Sequence, residues 1–220
     1  MHPSMETTVT TAAGYAFERV IDGICDLDWA SLGQNELKAV AAAYYFFSKQ
    51  FCETVDIACA LYPTDEQLIE LRAGECDTDN LSPYPGVAEP GERMSHDEFM
   101  RRVVKMAGLP VAEAERVQKL GADYLARARV ETATTRTLSL ASYEDGGLER
   151  VFRAVLRAQD WNEPSLAAFR HFLVGHINLD SDPDAGHGAL CRHLVPNDTI
   201  LPLWQAFRDL LVGAAPRLAQ

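Results

Sequence analysis

The chain has 220 residues, 47% of them hydrophobic, and 32 acidic against 20 basic side chains give it a formal charge of -12 at pH 7. That length can bury one sizeable core and suggests a single domain, while the negative charge opposes binding to phosphate backbones and argues against nucleic acid as a partner. Apolar runs fall short of a membrane helix, and the first residues lack the basic and apolar regions of a secretory signal, so a cytoplasmic protein without membrane contact is expected.

Residues 1–13 are polar and threonine-rich and are expected to form a disordered arm, leaving residues 14–220 as the folded domain. A short helix is expected over residues 15–25. A long one follows over about 36–61, where Leu37, Val40, Ala41, Tyr44, Phe47, Phe51, Val55 and Ala58 recur at helical intervals, with Asn35 as its cap and Pro63 beyond its end. Thr64 and Gln67 have the spacing of a capping box for a helix that runs to about Cys76 and carries Glu75 near its end.

From 77 to 94 the composition turns to Asp, Asn, Pro, Gly and Ser, which predicts a long surface loop and a candidate lid. Ser95 and Glu98 form a second capping box, so a helix opens at His96. A short helix near 112–118 and a longer one over about 122–143 follow. The stripe Ala133, Thr137, Leu140, Ala141 of the latter ends on Glu144, just before the break at Gly146 and Gly147. Helices over 148–159, from Asn162 and Pro164 onward, and over 199–211 complete the chain; nothing alternates as a strand would, so the class is all-α.

The stretch from Phe169 to His193 is the most informative. Phe169, Phe172, Leu173 and His176 share one helical face, and Asp180 continues it one turn on. Pro183 and Gly186 then interrupt the helix, so His187 can turn back towards the first two. Burying ionisable groups without partners costs several kcal/mol, so such a stripe calls for hydrogen bonds, ion pairs or a metal. Glu75, His96, Glu144, His176, Asp180 and His187 together offer oxygen and imidazole donors without thiolate, a set that suits iron or manganese. Taken singly, each has a plainer reading: a hydrogen-bonded core histidine, a loop-capping aspartate, a solvated glutamate. Five cysteines (Cys25, Cys52, Cys59, Cys76, Cys191) form no C-x-x-C pair and read as free thiols, Cys52 and Cys59 as small core residues.

Four segments in order carry a family resemblance: Leu68-Ile69 through Gly74-Glu75, Ser95 to Phe99, Ser142-Tyr143-Glu144, and His176 to Asp180 followed by His187-Gly188. Over residues 36–195 the chain resembles the heme-oxygenase-like di-iron oxidases, which include bacterial relatives of the chlamydial protein associating with death domains. The resemblance implies a compact bundle of about seven helices around two Fe(II) ions, with manganese as an alternative and O2 as co-substrate. It implies Glu75, His96, Glu144, His176, Asp180 and His187 as metal ligands, with Glu144 between the metals, and oxidation of a small amino-acid or fatty-acid-like substrate or of the protein's own side chains. Asp184 competes with Asp180, and Glu89 with Glu75, because both spacings depart from the family pattern.

Tyr143, with Tyr44 and Tyr45, is an oxidisable side chain whose ordinary role is packing, and Arg136 and Arg170 are candidate anchors for a substrate carboxylate. A homodimer is the one protein partnership left open. Three other classes compete: a heme oxygenase, for which there is no histidine between His2 and His96; a metal-free thiaminase-like hydrolase using Cys76 or Cys191; and a non-enzymatic interaction protein that keeps the fold.

Overall fold

The computed structural model describes residues 14–77, 83–180 and 186–220, with Asp77 and Asp180 described by their backbone alone. The expected arm at 1–13 and the candidate ligand Asp184 lie outside the described residues, as does the side chain of Asp180. Among the described residues the protein is all-helical, as expected, and the one extended pairing is an isolated bridge between Tyr84 and Ala88. No helix there is long and apolar enough to cross a membrane.

Ten α-helices follow one another: α1 (Ala16–Cys25), α2 (Gln34–Leu61), α3 (Glu66–Arg72), α4 (His96–Ala107), α5 (Val111–Arg129), α6 (Ala133–Ser142), α7 (Leu148–Val155), α8 (Pro164–Asp180), α9 (His187–Cys191) and α10 (Leu201–Ala214). The expected count of about seven is exceeded because several are short. The central member is α2, which packs against α3, α4, α5, α6, α8 and α10. Its start is held by Glu36, whose Oε2 accepts from the Gly33 amide at 3.0 Å, so the cap lies two residues before the expected Asn35.

Other boundaries moved for identifiable reasons. The cap of α3 is Asp65, which accepts from the amides of Gln67 and Leu68, where Thr64 was expected. Ser95 does precede α4, but its hydroxyl donates to Asp97 instead of completing a capping box. Glu163, and not Asn162, accepts from the amides that open α8. The expected interruption between 118 and 122 is absent: α5 runs straight through Gly121, and the real break comes at Glu131, after which Thr132 caps α6. Gly121 is a packing residue, since a Cβ there would lie 2.2 Å from the ring of Phe46.

The segment 83–94 is a loop with most of its residues exposed, as expected, but three anchors tie it down: Val87, Ala88 and Met94 are buried in the core, and the Val87 carbonyl accepts from Arg102 at 2.9 Å. Residues 78–82 lie outside the described ones.

α8 buries Leu166, Phe169, Phe172, Leu173, His176 and Ile177 on one side and leaves Arg170 and Asn178 exposed on the other. Phe169, Phe172 and Leu173 are buried on it. Removing one such phenylalanine costs about 3–5 kcal/mol in a packed core, so the helix that carries His176 is held by bulk on several sides.

Candidate metal centre

Two of the acidic candidates sit on turns that are not α-helical. Glu75 is the middle residue of a π-helical turn, Ala73–Asp77, that continues α3. Glu144 lies in a second, Tyr143–Gly147, between α6 and α7. Widened turns of this kind are frequent at functional sites, where the extra residue re-aims a side chain without ending the helix. The second turn includes Asp145 at φ -87°, ψ 55° and Gly146 at φ 96°, a left-handed conformation open to glycine. Gly147 is needed for a different reason: a Cβ there would meet the Ser142 carbonyl oxygen at 2.0 Å.

These turns bring five of the six sequence-predicted ligands together. Glu75, His96, His176 and His187 are buried, as is Glu144, and they form two groups of donor atoms: Glu75 with His96 and His176, and Glu75 with Glu144 and His187. In the first, His96 Nδ1 lies 2.5 Å from Glu75 Oε2 and 3.0 Å from His176 Nε2, and His176 Nε2 is 4.0 Å from Glu75 Oε2. In the second, His187 Nδ1 lies 2.5 Å from Glu75 Oε1 and 3.5 Å from Glu144 Oε2. Donors bound to one ion at about 2.0–2.2 Å lie roughly 3–4 Å apart, so both groups are already near that spacing.

Glu75 belongs to both groups and offers one oxygen to each, whereas Glu144 belongs to the second alone. The shared position thus falls to Glu75, where Glu144 was expected. Glu89 is exposed and joins neither group.

Three further observations fit a bound cation. Glu75 Oε1 and Glu144 Oε2 are buried and face His187 Nδ1 without a well-aligned hydrogen bond, and His96 Nε2 is buried without one, so two buried carboxylates converge on a single imidazole, a costly state that an ion relieves. His176 Nδ1 donates to the Phe172 carbonyl at 2.9 Å. That bond fixes the tautomer and leaves the Nε2 lone pair facing the group, the usual arrangement behind a metal-bound histidine. The donors are imidazole and carboxylate, suited to iron, manganese or zinc.

Their charges are set by one another. Burial opposes ionisation of Glu75, but His96 and His187 outweigh it and hold the carboxyl well below its usual range. Burial likewise opposes protonation of His187, yet Glu75 and Glu144 beside it raise its pKa to about 11. His176 is pushed down to about 3, first by burial and then by the neighbouring His96. Burial also raises Glu144 towards its neutral form. Without a metal, then, the centre is held as an ion pair between Glu75 and a protonated His187.

Tyr44, Phe47, Ser48, Phe51 and Cys52 of α2, with Phe172, wall a cavity of about 10 Å³ against Glu75, His96, Glu144 and His176. That is room for about one water molecule. Of these, Tyr44 was expected as an oxidisable side chain and does line the cavity, whereas Phe47, Phe51 and Cys52 were legible as core and gave no sign of lining a site. Tyr143 is fully buried against Phe47, Phe51 and Trp204 and lies outside this lining, as does Tyr45. Arg136 is buried and faces Glu53 at 3.4 Å, and Arg170 is exposed, so neither reaches the cavity.

No protein-family model matches the chain, and no curated protein matches it.

Proposed function

We propose that the protein is a non-heme di-iron oxidase or oxygenase with a heme-oxygenase-like fold, acting on a small amino-acid or fatty-acid-like substrate with O2. The observation that carries this reading is the shared carboxylate. One buried glutamate, Glu75, presents its two oxygens to two separate groups of donors, an arrangement suited to a pair of ions and not needed by a single one.

Glu75, His96 and His176 would hold one ion and Glu75, Glu144 and His187 the other. Asp180 is the sixth donor in this reading. Its support is that α8 extends to Asp180 itself, so that residue stands one turn beyond His176 on the same side of the helix. Ferrous ions bound there would supply the electrons that dioxygen takes up.

The chain's own part is orientation and exclusion. The Phe172 carbonyl keeps His176 in the tautomer that ligates, and Phe152 and Phe172 pack around its ring at 5.9 and 4.1 Å. The aromatic wall of α2 leaves room for a molecule of about the size of water or O2 and keeps bulk solvent out. His187 would have to give up its proton for Glu75, Glu144 and His187 to hold a cation together.

The hydrolase reading is the weaker one. Of its two candidate nucleophiles, Cys76 is not part of the cavity lining; the cysteine that is, Cys52, has its thiol pushed far above its usual range by Cys76 and by burial, and a nucleophilic cysteine needs the opposite. Cys191 is completely buried.

The test is anaerobic titration with ferrous iron followed by exposure to oxygen. Binding of about two ions per chain and O2 consumption dependent on iron are expected. Failure to bind iron above the level of a surface-carboxylate variant would defeat the reading. Binding of about one ion, with normal affinity, would leave a metalloprotein of another kind.

A further inference from the structure

A second cavity, of about 290 Å³, opens where α2, α4 and α5 meet, and it shares no lining residue with the cavity at the metal centre. Ala42 and Phe46 of α2 and Val117 of α5 are buried and make its floor. Tyr45, Val104 and Leu109 are half-buried and make its sides, while Ala114 and Gln118 stand exposed at its mouth. Apart from the Tyr45 hydroxyl and the Gln118 amide, the lining side chains are apolar. An open cleft with apolar walls and a few polar groups is the usual form of a small-molecule site. Its volume sets the size of the occupant: an apolar cavity of about 150 Å³ takes one benzene, so this one takes a body of about twelve carbon atoms.

The charge of the occupant follows from Lys49, one turn along α2 from Tyr45. Its ammonium lies 5.8 Å from the centre of the Tyr45 ring, the ring that walls the cleft. Lys49 is half-buried and has no carboxylate partner among the described residues. Lys38, on the same helix, is paired with Glu163 at 3.5 Å. On the facing α4 the carboxylate of Glu98 is taken up by Arg101 and Arg102, and that of Asp97 accepts from the Ser95 hydroxyl. In a chain with 32 acidic side chains against 20 basic ones, a half-buried ammonium held by a ring alone is a vacant place for an anion.

We propose that this cleft binds an apolar monocarboxylate, its hydrocarbon body against Phe46, Val104, Leu109 and Val117 and its carboxylate at Lys49. Apolar burial supplies the attraction and the ammonium selects the acid over neutral molecules of the same shape. None of the residues involved is a metal donor, so the inference does not rest on the metal reading.

The test is calorimetric titration of the whole protein, metal-free, with 2-naphthoate, whose fused rings match the cleft, and with 2-naphthalenemethanol, its uncharged counterpart. One naphthoate per chain is expected, with the alcohol bound about tenfold more weakly. Lys49→Gln should weaken naphthoate by about tenfold and leave the alcohol unchanged, and Lys38→Gln should change neither. Ala114→Trp puts a ring in the mouth at an exposed position, so the chain should keep its helical circular dichroism and lose both ligands. No binding of naphthoate by the folded protein would overturn the inference, as would equal affinity for acid and alcohol, or undiminished binding in Ala114→Trp. Concentration-dependent self-association that Ala114→Trp abolishes would overturn it as well, by assigning the cleft to a second copy of the chain.

Discussion

The two groups of donors share Glu75 and differ in how their other members are held. His176 stands within a 17-residue helix, its ring bonded to the Phe172 carbonyl and packed against Phe152, Phe172 and His96. His96 opens a 12-residue helix. In the second group Glu144 lies on a π-helical turn broken at Asp145 and Gly146, and His187 is the first residue of the five-residue α9. The charge state follows the same division: His176 is kept neutral, whereas His187 is kept protonated by the carboxylates it faces. His176 is thus ready for a cation, and His187 must first lose a proton. Side chains on long helices are fixed by packing; those on short turns depend on the ion pair that the metal would replace.

The largest effect should come from removing what the halves share. Glu75→Gln is expected to lower affinity for both ions by on the order of 100-fold or more. It should also destabilise the metal-free protein by about 3–5 kcal/mol, because the protonated His187 loses a buried counter-charge. Isothermal titration and chemical denaturation measure the two. A variant that still bound one ion normally would show that Glu75 serves a single group.

Next in size is the splitting of the pair. His176→Gln and His187→Gln should each retain about one of two ions, with His176→Gln leaving the less well-held site. Asp180→Asn should also lose one, and Asp184→Asn should lose none. Loss of both ions in either histidine variant would mean that the two groups bind as a unit and do not differ in how they are held.

A smaller and more specific difference concerns protons. A histidine must be neutral to ligate, and His187 is held protonated up to about pH 11. Affinity of the second group should therefore rise with pH, by about tenfold per unit over the neutral range, one proton leaving for each ion bound. His176, with its pKa near 3, has no proton to release above pH 4 or so. Calorimetry in buffers of different ionisation enthalpy would count the protons. A pH slope that survives His187→Gln would point to another titrating group.

The same division governs what the sequence could tell. His176 was legible because three- and four-residue spacing places it on the face of Phe169, Phe172 and Leu173, and that face is indeed buried. His187 was legible as a residue freed by Pro183 and Gly186. The two glutamates were legible by type and place but not by role, since a π-helical turn leaves no periodic signature and only the fold decides which carboxylate faces both groups. The cavity wall on α2 is written in the same apolar code as the core, so nothing distinguished Phe51 or Cys52 in advance. The interruption expected between 118 and 122 fails for a physical reason as well: Gly121, which lies there, makes a close helix contact with Phe46, and α5 runs on through it.

The smallest expected effect tests how far the second group depends on its surroundings. Asp65 caps α3, the helix that leads to Glu75, by accepting from Gln67 N and Leu68 N at 3.1 Å each, and its other oxygen meets His193 Nε2 at 2.8 Å. Since His193 follows α9 closely, this carboxylate joins the segment of Glu75 to the segment of His187. Asp65→Ala removes a cap and a half-exposed pair, together about 1–2 kcal/mol, or roughly 2–4 °C in Tm for each kcal/mol in a chain of this size. Asp65→Asn keeps an efficient cap and loses the charge opposite His193, so the difference between the two variants isolates the pair. Both should still bind two ions, because every donor is intact, with the second-group affinity lowered by less than tenfold. If Asp65→Asn alone cost the second ion, the position of His187 would be set by the clasp between Asp65 and His193 and not by its attraction to Glu75.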